Sequence, residues 1–206
     1  MVGLIVLLAI DTSAGTSVAV VDRDRGVLAS RDSADTRGHA EIVGTFIDDC
    51  LAESGIAVSE LSGVVAGMGP GPFTGLRVGI AAARAFAFGA GKPVIPVVSH
   101  DAIAFGLTMP TLVVTDARRR EVYWSAYGAP DEHGLPVRLD GPGLAKPDDL
   151  PVFDGLVQLN AVTVSAASLG LLAEAMYVHK RQFAGSEALY LRSPDVTLSA
   201  GPKRVS

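Results

Sequence analysis

The chain has 206 residues, 49% of them apolar, and its 17 Lys and Arg against 22 Asp and Glu give a formal net charge of −5. That much apolar material can bury a core for two small lobes or one larger one, and the acidic balance excludes a protein that grips nucleic acid over its whole surface, because phosphate binding needs a basic field. The single cysteine, Cys50, cannot form an internal disulfide and, beside Leu51 in a helical pattern, reads as a buried reduced thiol.

Residues 4–10 form a continuous β-prone run, far short of the roughly 20 apolar residues of a membrane span. No Lys or Arg precedes it as in a secretory signal, so a cytoplasmic chain without membrane contact is expected. Two further short strands follow at 17–21 and 27–30, separated by polar turns, which predicts a three-stranded meander starting with a buried central strand. The period then changes. Ile42, Val43, Phe46, Ile47, Cys50 and Leu51 recur at helical spacing with Glu41, Asp48, Asp49 and Glu53 between them.

A short apolar strand at 63–67 delivers the segment Gly67-Met-Gly-Pro-Gly-Pro-Phe-Thr-Gly-Leu-Arg-Val-Gly79, and a helix is predicted over 76–89. Glycine turns that enter a helix N-terminus are where α/β proteins bind phosphate. This loop contains no Lys, however, so a P-loop is rejected and close helix–strand packing is the expected role. Only Arg77 and Arg84 are charged in the predicted helix, and they share a face with Ala81 and Phe88. Another strand is predicted at 94–98.

The second half repeats the start: Thr111-Leu-Val-Val-Thr-Asp116 matches Leu7-Leu-Ala-Ile-Asp11 as an apolar strand ending in aspartate, and a new strand follows at 122–127. Residues 128–151 are rich in Gly, Pro and Asp with short apolar pieces, 166–180 reads as an amphipathic helix, and 199–206 is expected to be a disordered tail. The expected organisation is a first lobe over 1–100 and a second, smaller lobe over 101–198.

Two lobes that each begin strand–Asp–turn–strand resemble the actin/hexokinase/Hsp70-like (ribonuclease H-like) superfamily, which implies a duplicated α/β fold with a reduced second lobe. Within it the chain resembles the TsaB (YeaZ) family, companions of the TsaD enzyme that makes threonylcarbamoyladenosine in tRNA. The match is carried by Leu8-Ala-Ile-Asp-Thr-Ser13, by the 67–79 segment, by Asp116-Ala-Arg-Arg-Arg-Glu-Val-Tyr-Trp124, and more weakly by Leu189-Tyr-Leu-Arg-Ser193. The resemblance implies a non-catalytic scaffold, partnered by a TsaD-type catalytic paralogue, a TsaE-type ATPase subunit and a second copy of itself, with tRNA reached through the complex. In TsaD the metal is held by two histidines four residues apart after the strand that follows the glycine-loop helix. With strand ends aligned those positions fall on Ser99 and Ile103, and His100 has Ala104 four residues on. No metal and no independent transferase activity are therefore expected.

The superfamily places phosphate against the turn of Asp11, Thr12 and Ser13, so these residues with Gly69, Gly71 and Gly75 are a candidate remnant of a nucleotide site; equally, a short polar turn needs such residues simply to reverse direction. The matching turn in the second lobe, 117–120, has no glycine with which to approach a triphosphate. The resemblance implies no cofactor of its own and leaves open a nucleotide at the subunit junction. It also implies a partner interface on the first-lobe helices, for which Phe46, Arg77, Ala81, Arg84, Ala85 and Phe88 are candidates. Arg118, Arg119 and Arg120 are the densest positive charge and are candidates for contact with RNA or a partner, or are simply solvated. Tyr123 and Trp124 are expected to pack. His39, His133 and His179 show no ligand or triad spacing. A rival reading is a small ATP-dependent phosphotransferase or acyl-transfer enzyme using Asp11; a peptidase is disfavoured, since no nucleophile–base or metal pair can be assembled.

Overall fold

In the computed structural model, which describes residues 5–192, the first apolar run becomes strand β1 (Val6–Asp11), buried at all six positions. It pairs antiparallel with β2 (Thr16–Asp22), which pairs antiparallel with β3 (Gly26–Ser33). Helix α1 (His39–Ser54) leads to β4 (Gly63–Gly67), parallel to β1, and helix α2 (Phe73–Ala90) leads to β5 (Val94–Val97), parallel to β4. The sheet order is β3-β2-β1-β4-β5. Buried on both sides, β1 sends alternate residues to opposite cores. Leu8 and Ile10 join Val43, Ile47, Leu76 and Ile80 from α1 and α2, whereas Leu7 and Ala9 face the other way.

The first strand–turn–strand unit recurs after a short helix α3 (Ser99–Ala104): β6 (Thr111–Asp116) pairs antiparallel with β7 (Val122–Tyr127), β7 with β8 (Arg138–Ala145), and β9 (Val157–Asn160) runs parallel to β6. Its order β8-β7-β6-β9 reproduces the first sheet without the last strand, and a single 3-10 turn at Pro147–Asp149 stands where the first lobe has α1. The duplicated actin-like fold with a reduced second lobe is thus present. Helix α4 (Ala166–Val178) completes the regular structure of the described residues.

The structure departs from the sequence expectations at several points. The loop-like stretch 128–151 contains β8, in which Gly143 lies directly under the Trp124 indole, where any side chain would collide with the ring. Trp124 also packs on Phe153, ring centres 5.9 Å apart, and Tyr123 is buried, as packing residues should be. Helix α2 begins three residues before its predicted start. Helix α4, which the sequence assigns to the second lobe, packs on the first sheet, with Leu169, Leu172 and Ala173 against Leu7, Ala9, Ala19 and Val21. It covers the face that α1 and α2 leave open. The expected tail at 199–206 lies outside the described residues.

Candidate functional site

The C-terminal ends of β1 and β4 bring Asp11 against the glycine loop. Asp11 is fully buried, and both carboxylate oxygens accept hydrogen bonds from the protein. Oδ1 accepts from the Ser13 amide at 2.8 Å and the Ser13 hydroxyl at 2.6 Å, and Oδ2 accepts from the Ser99 hydroxyl at 2.5 Å. Burial pushes the Asp11 carboxyl above its ordinary range, while these bonds and the nearby His39 pull it back. Ser99 is tied in further: its Oγ accepts from the Gly69 amide at 2.9 Å, and its own amide donates to the Gly69 carbonyl at 2.8 Å.

Thr12 clamps the start of α2. Its hydroxyl donates to the Gly75 carbonyl at 2.7 Å and accepts from the Gly79 amide at 2.9 Å. The consequence is a contact too close for any side chain on the facing loop and helix. A Cβ on Gly75 would sit 2.5 Å from the Thr12 carbonyl oxygen and one on Gly71 2.8 Å from Ser13 Cα, and Gly67 and Gly79 are closer still to Asp11 and Thr12. Glycine at every fourth position from 67 to 79 is therefore the imprint of the Asp11–Ser13 turn lying on the loop. His39, the first residue of α1, is buried beside it, with Nδ1 2.8 Å from the Thr16 hydroxyl. The turn, loop and Ser99 make one buried network, in which the Asp11 carboxylate is closed off from solvent and takes three hydrogen bonds from the protein itself.

The two lobes face each other across a cleft. One cavity of about 380 Å³ is lined by Phe73, Arg118, Tyr123, Tyr190 and Arg192, and a neighbouring one of about 450 Å³ by Ser13, Thr36, Asp116 and Asn160. The turn Arg118-Arg-Arg120 takes positive φ at all three arginines, 64°, 55° and 63°, a left-handed path that normally favours glycine. Nothing in the residue types announces this path. Asp116 steadies the turn by accepting from the Arg118 amide at 3.0 Å, and the Arg118 guanidinium reaches across to Thr36 of the first lobe. Arg120 is exposed.

The segment around Tyr190, only a weak motif in the sequence, straddles both lobes. Leu189 donates its amide to the Met68 carbonyl at 2.8 Å, Tyr190 packs on Phe73 with ring centres 4.8 Å apart, and Arg192 pairs with Glu121. Ser99, noted in the sequence only as an unsuitable ligand, is the residue that joins strand and loop.

On the outer face of α2, Arg77, Ala81, Arg84, Ala85 and Phe88 are all exposed, Phe88 to 91%. Arg77 lies 3.8 Å over the Phe73 ring, and Arg84 donates to the Ser186 carbonyl. Phe46 differs from these: it is half-buried against the core formed with α1 and α2. Among the described residues no group of three or more His, Cys, Asp or Glu could hold a metal ion, and no helix is long and apolar enough to cross a membrane.

Fold and site together define an actin-like duplicated α/β protein whose Asp11–Ser13 turn is packed against its own glycine loop. The family model for TsaD, tRNA N6-adenosine threonylcarbamoyltransferase, matches residues 26–133. An uncharacterized Mycobacterium leprae protein is 39% identical over 206 residues, covering 92% of this chain and 55% of that protein. The tRNA threonylcarbamoyladenosine biosynthesis protein TsaB of Haemophilus influenzae is 41% identical over 125 residues, 58% of this chain and 52% of that protein. The chain thus spans about half the length of these two relatives. A Pseudomonas aeruginosa structure, described as an uncharacterized protein with similarity to peptidase YeaZ, superposes with a TM-score of 0.77 at 26% identity, covering 91% of this chain and 100% of that one. The chain belongs to the TsaB (YeaZ) family.

Proposed function

We propose that this chain is an accessory, non-catalytic subunit in tRNA threonylcarbamoyladenosine biosynthesis, acting by docking on a TsaD-type catalytic subunit. The observation that carries this reading is Ser99: it stands where the resemblance to TsaD calls for a metal-binding histidine, and its hydroxyl is locked onto Asp11 at 2.5 Å. With Asp11 enclosed in this way, the rival phosphotransferase or acyl-transfer reading lacks an accessible acid–base group, and a nucleotide is better placed in the cleft between the lobes or at the junction with the partner. The name of the Haemophilus influenzae relative supplies the pathway.

The docking face in this reading is the outer side of α2 together with α1. Ala81 and Ala85, one turn apart, give a low floor on which a second helix can lie closely. Phe88 offers apolar area, and Arg77 and Arg84 form a charged rim. A second copy of this chain would use the same face, making self-association and TsaD binding mutually exclusive. The TsaE-type ATPase and tRNA would join through the assembled complex, in the cytoplasm, with the Arg118–Arg120 turn as a further contact.

The test is reconstitution of threonylcarbamoyladenosine formation on tRNA by a TsaD-type subunit with and without this chain. A rate increase of at least about tenfold, roughly 1.4 kcal/mol in barrier, is expected; equal rates would overturn the reading. Calorimetric titration of the isolated chain with ATP and Mg²⁺ separates the enzyme rival, which requires micromolar binding abolished by Asp11→Asn.

A further inference from the structure

At the end of the first sheet opposite the Asp11 turn, the starts of β1 and β5, helix α4 and the segment after it enclose a cavity of about 540 Å³. Its walls include Ile5, Leu7, Ile95 and Phe183, with Tyr177 beside them, and they carry a single charged side chain, Glu174. Glu174 is only 3% exposed, and its Oε1 has no hydrogen-bond partner among the described residues. Buried polar atoms are almost always paired, because leaving one unpaired costs the desolvation it suffered. This carboxyl therefore stands out as unmatched among the described residues.

We propose that this cavity binds a compact apolar molecule carrying one protonated amine, with the ammonium against Glu174 and the hydrocarbon body along Ile5, Leu7 and Ile95. The volume lies in the range of small-molecule sites, which are mostly apolar with a few placed polar groups. The rings of Tyr177 and Phe183 in the same wall suit a cation. Among the described residues no cation forms an ion pair with Glu174. From β2 and the turn after it, Asp22 is occupied by the Asp24 and Arg25 amides and the Arg25 guanidinium, Asp24 repels, and Arg23 is exposed. From α3, Asp101 is engaged by Tyr127 and Arg138. The wall residues from β1 and β5 carry no charge.

Burial, and then the negative charge of Asp22, push the Glu174 carboxyl up to about 7, with Arg23 opposing and Asp24 adding to the rise. Ionisation near neutrality makes cation binding pH-dependent: affinity should rise as Glu174 loses its proton. This site lies on the α4 side of the sheet, away from α2, so its fate is independent of the docking reading.

The test is methyl NMR of the full chain titrated with cyclohexylmethylamine and, separately, with the uncharged cyclohexylmethanol. Saturable shifts of the Ile5, Leu7, Val94 and Ile95 methyls are expected with the amine, and binding at least about tenfold weaker with the alcohol. Glu174→Gln should abolish that preference. In the wild-type chain the amine should bind about tenfold more weakly near pH 6 than near pH 8, which decides the matter even if the variant does not fold. Absence of saturable shifts at these methyls, equal binding of amine and alcohol, or pH-independent affinity would each overturn the proposal.

Discussion

The Ser99 hydroxyl and the Asp11 carboxylate are 2.5 Å apart although 88 residues separate them in the chain. The same hydroxyl accepts the Gly69 amide at 2.9 Å, so one oxygen ties strand β1, the glycine loop and helix α3 together. Ser99→Ala removes a donor from a buried carboxylate and an acceptor from a buried amide. A loss of about 2–3 kcal/mol is expected. Asp11→Asn keeps an acceptor for the Ser13 amide and hydroxyl and should cost less, about 1 kcal/mol. Urea denaturation midpoints test both, and a Ser99→Ala midpoint equal to wild type would show that the network is not structural.

Spacing alone does not decide what a glycine does, and two helical glycines make the contrast. A side chain at Gly75 would meet the Thr12 carbonyl at 2.5 Å, whereas Gly44 on α1 has nothing within 4 Å. Since the Thr12 oxygen is backbone and cannot swing aside, Gly75→Ala should destabilise by at least about 3 kcal/mol. Gly44→Ala should stabilise by about 0.5–1 kcal/mol, because it only restricts the unfolded chain and raises helix propensity. Thermal melts should therefore move in opposite directions.

Much of the first lobe is legible in the sequence because its signals are local. The unbroken apolar run of β1, the helical period from Ile42 to Leu51 and the glycine punctuation before α2 each announce an element without knowledge of its neighbours. What escaped depends on partners distant in the chain. Strand β8 carries Gly141-Pro142-Gly143, which by propensity argues against a strand, and it exists because Trp124 of the adjacent strand covers Gly143. Strand β9 has only four residues and draws its register from β6. Helix α4 reads as amphipathic, but it is apolar on most sides and its one charged residue, Glu174, is buried, so its pattern does not say which sheet it covers. At the site, Asp11 and the glycines are readable as a motif, but their packing on one another through Ser99 is not, because it requires the fold. The left-handed turn through Arg118, Arg119 and Arg120 has no residue signal at all.

His100 offers a pH-dependent test of the second lobe. Its ring is fully buried on α3, with Nδ1 2.8 Å from the Ser125 hydroxyl and Nε2 2.9 Å from the Thr115 hydroxyl. Burial, helped by the Arg138 charge, lowers its pKa to about 3. An unfolded histidine titrates near 6.5, so between about 6.5 and about 3 the unfolded chain binds a proton that the native one does not. Stability is complete above that window and declines as pH falls through it, by about 2 kcal/mol at pH 5. Glu174, held up to about 7, acts in the opposite sense below neutrality. The informative quantity is therefore the difference between wild type and His100→Gln, measured by denaturation at pH 7 and pH 5. The variant should lack about 2 kcal/mol of the acid destabilisation, and parallel pH profiles would rule out a neutral buried imidazole.

The outer face of α2 can be tested without disturbing the fold, because Ala81 and Phe88 both point to solvent. In the proposed docking mode, Ala81→Glu places a desolvated, unpaired carboxylate in the contact at a cost on the order of 3 kcal/mol, about a hundredfold in dissociation constant. Phe88→Ala removes most of the exposed apolar area and should weaken association about tenfold. Bare apolar surface elsewhere makes the control: Val152 in the second lobe is 90% exposed, nearly as much as Phe88 at 91%. If exposure alone drove association, Val152→Glu would weaken it as well. Docking through α2 predicts instead that sedimentation velocity with the TsaD-type subunit is unchanged by Val152→Glu and disrupted by Ala81→Glu, while both variants melt at the wild-type temperature. Retained association of Ala81→Glu would move the interface off this helix.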